Sequence, residues 1–298
     1  MANWLREYRL LAGVPGQDGF LIGQTVIGRA LHINFDLEKS DTESSNTGKI
    51  TISNLSDEHK SILNEKGCVV ELMVGYEGNI NSIFVGGVES TTEILTNADR
   101  DLEIDLIDGF SNYDKPGSIS MNGIVTCSMV LAEIQAQMGI ESVVITPAAE
   151  ELLETAKYDA GYCYVGKMKM ALQNVCQKAG TTFTLQGGVL QIYVDGEPVT
   201  AEVYVLNSHT GLISIPKKIT ISQNGRAISA EGGTSTSEKG IPGYEVEYMI
   251  NGAIGINDLI QLESRTLSGL FRVYSQHYVG DNYGTDWKCT AQLLEVVL

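Results

Sequence analysis

Apolar and polar side chains alternate in short runs through most of residues 26–109, and glycine or polar residues separate the runs. The runs are residues 32–37, 49–55, 69–76, 82–88 and 102–108. Because successive side chains of a strand point to opposite faces, such runs predict half-buried β-strands. Their close spacing predicts a barrel or a sandwich. A short helix is predicted to interrupt them after Ser56, whose hydroxyl suits a helix N-cap.

Residues 112–200 have a different periodicity. Apolar positions recur at helical spacing from Thr126 to Met138 and from Lys167 to Ala179, and each run ends near a glycine. A third short helix is predicted in residues 147–158, with proline in its first turn. Residues 181–194 predict a hairpin whose turn is Gly187-Gly188, since glycine readily adopts positive φ. This segment is therefore predicted to be a small α+β module.

The strand pattern returns after residue 200 and continues almost to the end of the chain. We therefore predict a mainly β fold with a smaller α+β part, made of two β-barrel domains and a middle mixed module. The predicted boundaries are 1–111, 112–200 and 201–298, with the possibility that strands from distant segments complete a barrel. The glycine- and serine-rich stretch 232–240 is predicted to be a mobile loop.

The net charge of −17, from 37 acidic and 20 basic residues, narrows the range of possible functions. Residues 1–110 contain 18 of the acids and only 8 of the bases. Such a chain repels the phosphate backbone, so sequence-specific nucleic-acid binding is not expected. Five widely spaced cysteines without a C-x-x-C pair favour free thiols in a reducing compartment. Neither a signal peptide nor a membrane-spanning segment is expected, and the protein is expected to be soluble where it is made.

Motifs for catalysis and cofactor binding are absent from the sequence. The four histidines lie far apart, and there is no nucleophile elbow, dinucleotide fingerprint or P-loop. A carboxylate dyad is conceivable, but it requires a distance that a sequence does not give. Cys163 or Cys176 with His209 is the one nucleophile–base combination worth naming, and Cys176 lies on an apolar helical face, where packing is the commoner role. We expect no enzyme activity, no cofactor and no metal.

The most informative cluster is Asp99, Asp101, Glu103 and Asp105, which alternates with apolar residues. Period two places the four acids on one face of a strand. Three interpretations stay open: a solvated outer face, a calcium site made of carboxylate oxygens, or the wall of a pore that must not retain a polyanion.

Two long stretches resemble phage tail hub proteins of contractile tails and of phage-tail-like injection particles. The first runs from His32 through Asn54-Leu55-Ser56, Gly75-Tyr76 and Ile83-Phe84-Val85-Gly86, and it is similar to the N-terminal barrel of those hubs. The second includes residues 210–217, Gly243-Tyr244, Ile250-Asn251-Gly252 and residues 269–281 with Trp287, and it is similar to their second barrel.

The resemblance implies a homotrimer in which each chain has two tail-tube-like β-barrel domains, and these barrels form a pseudo-sixfold ring around a channel for DNA. Such a ring would join the tail tube to the central spike, with the tape measure protein and baseplate wedge proteins as further partners, in the tail baseplate of a virion made in the bacterial cytoplasm. The four acids are then candidates for the channel wall, and no catalytic residue carries over. A carbohydrate-binding or cell-wall-degrading tail component is the alternative function.

Overall fold

The computed structural model describes residues 5–23, 31–96, 99–108, 115–200, 202–221, 227–228 and 240–296. The chain forms two compact units. The large unit combines residues 1–108 with residues 200–298, and the small unit consists of residues 109–199. The small unit is therefore an insertion within the sequence of the large one.

The N-terminal part of the large unit is an antiparallel sheet with one short helix. Its elements are β1 (Arg6–Gly13), β2 (Phe20–Gly23), β3 (Ile33–Ser40), β4 (Thr47–Ser53), α1 (Asp57–Leu63), β5 (Val69–Tyr76), β6 (Asn79–Thr96) and β7 (Asp99–Ile107). The strand order is β3-β4-β7-β6-β5-β1-β2. The Ser56 side chain accepts a hydrogen bond from the His59 N–H, which confirms the predicted N-cap of α1.

The small unit has its own core. Its elements are β8 (Pro116–Met121), β9 (Val125–Thr126), α2 (Cys127–Met138), β10 (Ser142–Ile145), α3 (Pro147–Thr155), β11 (Lys157–Tyr158), β12 (Tyr162–Lys167), α4 (Met168–Ala179), β13 (Thr182–Gln186) and β14 (Val189–Tyr193). Helices α2 and α4 end at Gly139 and Gly180, whose φ angles of 71° and 76° are left-handed. The apolar stripes of both helices pack into this core, with the hairpin β13–β14 against them.

The C-terminal part of the large unit consists of strands. They are β15 (Val203–Leu206), β16 (Lys217–Ile221), β17 (Ala227–Ile228), β18 (Ile241–Met249), β19 (Leu259–Glu263), β20 (Ser268–Asp281) and β21 (Trp287–Glu295). The main order is β17-β16-β18-β21-β20, and β19 pairs with the first part of β20 and in parallel with β15.

Strand β20 joins the two parts of the large unit. Its second half pairs antiparallel with β3, from Ser275 opposite Ser40 to Asp281 opposite Asn34. This pairing makes one continuous 14-stranded sheet. The apolar side chains of both parts, such as Phe35, Ile104 and Val273, belong to a single buried cluster.

A β-bulge at Tyr274 marks the point where β20 changes partner from β19 to β3. The backbone N–H of Asp41 donates to the Tyr274 carbonyl at 2.7 Å. The neighbouring Val273 carbonyl accepts from the Asn257 N–H at 2.9 Å. The bulge is therefore held from both sides, by the loop after β3 and by the turn before β19.

A buried ion pair lies at this bulge. The Arg272 guanidinium donates to Asp41 and to the Asn257 side-chain oxygen, and the Asn257 amide donates to the other Asp41 oxygen at 2.9 Å. The side chains of Arg272 and Asp41 are only 3% and 4% exposed. Because a buried charge is stable only with a partner, each of these side chains requires the other. We call Arg272, Asp41 and Asn257 the bulge triad.

The mainly β prediction with a smaller α+β part is confirmed, and so are the predicted helices and the Gly187-Gly188 turn, with φ angles of 59° and 82°. Strands β1 and β2 were missed. Strand β6 extends beyond the predicted 82–88. The prediction missed residues 89–95 because they are mostly exposed and show no alternation of apolar and polar side chains. Residues 232–239 of the predicted mobile loop 232–240 lie outside the described residues.

Removing the cation of the bulge triad should destabilise the large unit strongly. We expect Arg272→Met to lower the free energy of unfolding by about 3–5 kcal/mol, because the Asp41 carboxylate would stay buried without its partner. The double variant Arg272→Met, Asp41→Leu should recover most of this loss. Urea unfolding measures both, with exposed Arg265→Met as the control. A single variant as stable as the control would contradict the assigned role.

Close packing at the same strand pair gives a second prediction. A Cβ on Gly280 would lie 2.1 Å from the Phe35 ring, which covers this glycine from the opposite strand position. We expect Gly280→Ala to cost about 1–3 kcal/mol in thermal or urea unfolding. Adding Phe35→Leu makes room, so the double variant should lose less stability than the sum of the two single variants. Additive losses would contradict this contact.

Candidate functional site: the outer face of the large sheet

The large sheet has a polar side opposite its apolar core. We call this side, on strands β18, β21, β20, β3, β4, β7 and β6, the outer face. Alternation along each strand produces it: in β7, Leu102, Ile104 and Leu106 are buried while Glu103 and Asp105 are partly exposed. The outer face is a continuous surface because these seven strands are neighbours in one sheet.

The four acids singled out from the sequence all lie on β7, and each contacts a polar side chain of a neighbouring strand or turn. The contacts are Asp99 with Asn54 (2.9 Å), Asp101 with Ser53 (2.6 Å), Glu103 with Lys49 (2.7 Å) and Asp105 with Ser90 (2.6 Å). No group of three or more acidic, histidine or cysteine residues in the described ranges is arranged to hold a metal ion. Each of the four carboxylates thus has a hydrogen-bond partner on a neighbouring strand or turn.

Lys49 is the central cation of this surface. Its ammonium lies 2.7 Å from Glu103 and 3.6 Å from Asp105. The hydrogen bond to Glu103 raises the pKa of Lys49 above its usual value, and the charges of Glu103 and Asp105 add to this effect. Lys49 therefore reduces the repulsion between two adjacent carboxylates of β7.

Further acids on the outer face were not singled out from the sequence. Asp36 on β3 pairs with His277 of β20 at 2.7 Å and lies opposite Lys49 in the strand register. Glu38 lies two residues further along β3. Glu89 is the extra residue of a β-bulge in β6, a device that redirects side chains. The alternation in β3 was a usable signal for the first two, but a bulge gives no sequence signal.

Two grooves cross this surface. The larger has a volume of about 580 Å³ and lies between the loop after β3 and strands β18, β20 and β21. The smaller, about 410 Å³, lies over β3, β4, β6 and β7. Both are lined by Glu38 and Thr47, so the grooves adjoin. Their lining side chains are almost entirely polar.

The other candidate residues have structural surroundings. His32 contacts Asp281 at 3.0 Å, His59 stacks on Phe20 with ring centroids 4.2 Å apart, and the backbone N–H of His209 donates to Asn207. Four cysteines are buried, among them Cys176, and Cys163 is exposed. Burial raises the pKa of the Cys289 thiol to about 12.

None of the helices in the described ranges combines the length and apolar character needed to cross a membrane.

Comparison with known proteins gives no matching family model and no matching curated sequence. Solved structures do match over nearly the whole chain. A tail protein of Neisseria meningitidis has a TM-score of 0.60 at 10% identity, covering 97% of this chain and 96% of its own. A 43 kDa prophage MuSo2 tail protein of Shewanella oneidensis has 0.59 at 11% identity, covering 97% and 98%.

A third match is a component of the Escherichia coli type VI secretion system, described as structurally similar to the bacteriophage T4 tail proteins gp27 and gp5. Its TM-score is 0.57 at 8% identity, with coverage of 96% of this chain and 77% of its own. This chain has a phage tail hub-like fold. The identities of 8–11% explain why no sequence match was found, because at this level only the architecture is recognisable.

Neutralising Lys49 should produce a salt-dependent loss of stability in this hub-like fold. We expect Lys49→Gln to lower the melting temperature by about 2 °C at low salt, because Glu103 and Asp105 then repel each other. Added salt should shrink the difference. Thermal unfolding over a salt series measures this, with the exposed Lys66→Gln as an equal change of net charge. Identical salt responses of the two variants would contradict the local role of Lys49.

Proposed function

We propose that this chain is a non-enzymatic structural subunit at the central hub of a contractile phage tail or of a related injection particle. The observation that carries the proposal is the likeness in fold to two tail proteins over at least 96% of both chains in each comparison. A likeness of this extent includes the inserted small unit as well as the large sheet.

In the proposed assembly the chain is a homotrimer in the virion baseplate. The N-terminal and C-terminal parts of the large unit are two barrel-like modules, so three chains contribute six modules to a pseudo-sixfold ring. The ring joins the tail tube protein to the central spike protein and contacts the tape measure and wedge proteins. The E. coli type VI component supports a setting in a tail or an injection particle, since it is described as similar to two T4 tail proteins.

The outer face suits the wall of a DNA channel in this ring. It carries Asp99, Asp101, Glu103 and Asp105 beside Asp36 and Glu38. Duplex DNA has one negative charge about every 1.7 Å, so an acidic wall favours passage over retention. With this role no cofactor, metal or sequence-specific nucleic-acid contact is required. No Phe, Tyr or Trp is among the described residues that line the two grooves, so the large aromatic surfaces on which sugar rings stack are missing there, which weakens the carbohydrate-binding alternative.

The mass of the purified protein in solution tests the proposal. Light scattering should give three times 32.3 kDa, and negative-stain images of that peak should show small rings with a central hole. The Arg272→Met variant serves as a control for loss of the native fold. A compact monomer that stays monomeric after a tail tube or spike partner is added would contradict the ring.

A further inference from the structure

The adjoining grooves on the outer face form one polar path across the sheet. We propose that this path binds a basic, extended segment of a partner polypeptide, which crosses the strands from β18 to β6. The ligand is thus a peptide with arginine or lysine side chains and free backbone N–H groups. This goes beyond the proposed channel role, which requires only that DNA is repelled.

Charge complementarity is the first argument. Five carboxylates line the two grooves, against two lysines: they are Asp36, Glu38, Glu89, Asp105 and Glu245, and the lysines are Lys39 and Lys49. The alternation of β3 places the Lys39 side chain on the core side, and burial lowers the pKa of that ammonium. Lys49 is the one lysine that faces the path, and Glu103 already binds it. The path therefore has an excess of negative charge.

Two of these carboxylates are available to a ligand. Asp36, Asp105 and Glu245 contact His277, Lys49 or Lys217 within 4 Å. Glu38 and Glu89 have no hydrogen-bond or ion-pair partner among the described residues. Glu89 is directed to the path by its β-bulge. Both carboxylates line the smaller groove, so cationic side chains of a ligand in this groove would reach them.

An unsatisfied acceptor is the second argument. The Gln292 side-chain oxygen is shielded from solvent and has no hydrogen-bond donor in the described part of the chain. Gln292 lines the larger groove beside Ser275 and Glu245, its neighbours in the strand register. Gln292 itself is partly exposed at the groove, so rotation of its terminal amide would present this oxygen to a ligand N–H and supply the donor that the chain lacks.

The dimensions fit a short segment. Seven adjacent strands span six spacings of about 4.8 Å, which is roughly 29 Å. An extended peptide rises about 3.3 Å per residue, so about nine residues cross the path. A polyanion is disfavoured by the same charges, and a metal ion by the lack of a ligand cluster in the described ranges.

Fluorescence anisotropy with the full chain tests this site. The probe is a labelled nine-residue peptide of alternating arginine and serine, compared with a peptide that has glutamine in place of arginine. We expect the basic peptide alone to bind at low salt, and its affinity to fall as salt screens the charges. The double variant Glu38→Gln, Glu89→Gln should bind about tenfold more weakly. The matched control is Glu150→Gln, Glu151→Gln at two exposed positions of α3, which should bind like the wild type.

A substitution of Gln292 separates ligand binding from folding. Gln292→Met removes the unsatisfied oxygen, so we expect several-fold weaker peptide binding without a lower melting temperature. Absence of binding by the basic peptide, equal binding of the neutral one, or equal weakening in the α3 control would overturn the proposal. These outcomes are independent of the trimer mass, so a ring that does not bind the peptide refutes this inference and leaves the proposed function intact.

Discussion

The pairing of β20 with β3 is the interaction on which the large unit depends. It brings together the side chains of His277 and Asp36, which are 241 positions apart in the chain, and it makes one sheet and one core from two distant segments. The bulge triad stabilises the point where β20 exchanges β19 for β3. Since Arg272 comes from one segment and Asp41 from the other, the buried charge pair requires the correct join.

The two sides of the sheet have different roles, and the two-residue period of a strand places their side chains on opposite faces. Inward residues such as Ile104 and Phe35 provide the core, while the intervening acids cover the outer face. The stability of the fold therefore depends little on the outer residues. It requires only that their carboxylates have local partners, which are Lys49 and the hydroxyls of Ser53 and Ser90. A surface of this kind can change its charge pattern without changing the fold.

Local patterns in the sequence were enough for most elements and for the acidic face of β7. Caps and periodicity define α2 and α4, and alternation defines Asp101, Glu103 and Asp105 as neighbours on one face. The bulge triad could not be predicted from the sequence, because only the long-range pairing of β20 with β3 brings Arg272 and Asp41 together. Glu89 was also missed, since a bulge breaks the alternation that identifies strand faces.

The insertion of the small unit between β7 and β15 has a consequence for biosynthesis. Strand β3 ends at Ser40, whereas its partner β20 begins only at Ser268 and is therefore translated much later. Throughout that interval the unpaired edge of β3 can pair with a wrong strand. The correct pairing with β20 closes a long loop and therefore has a high entropic cost. The exposed charges Asp36 and Glu38 on this strand are of the kind that discourages such wrong pairing in a nascent chain.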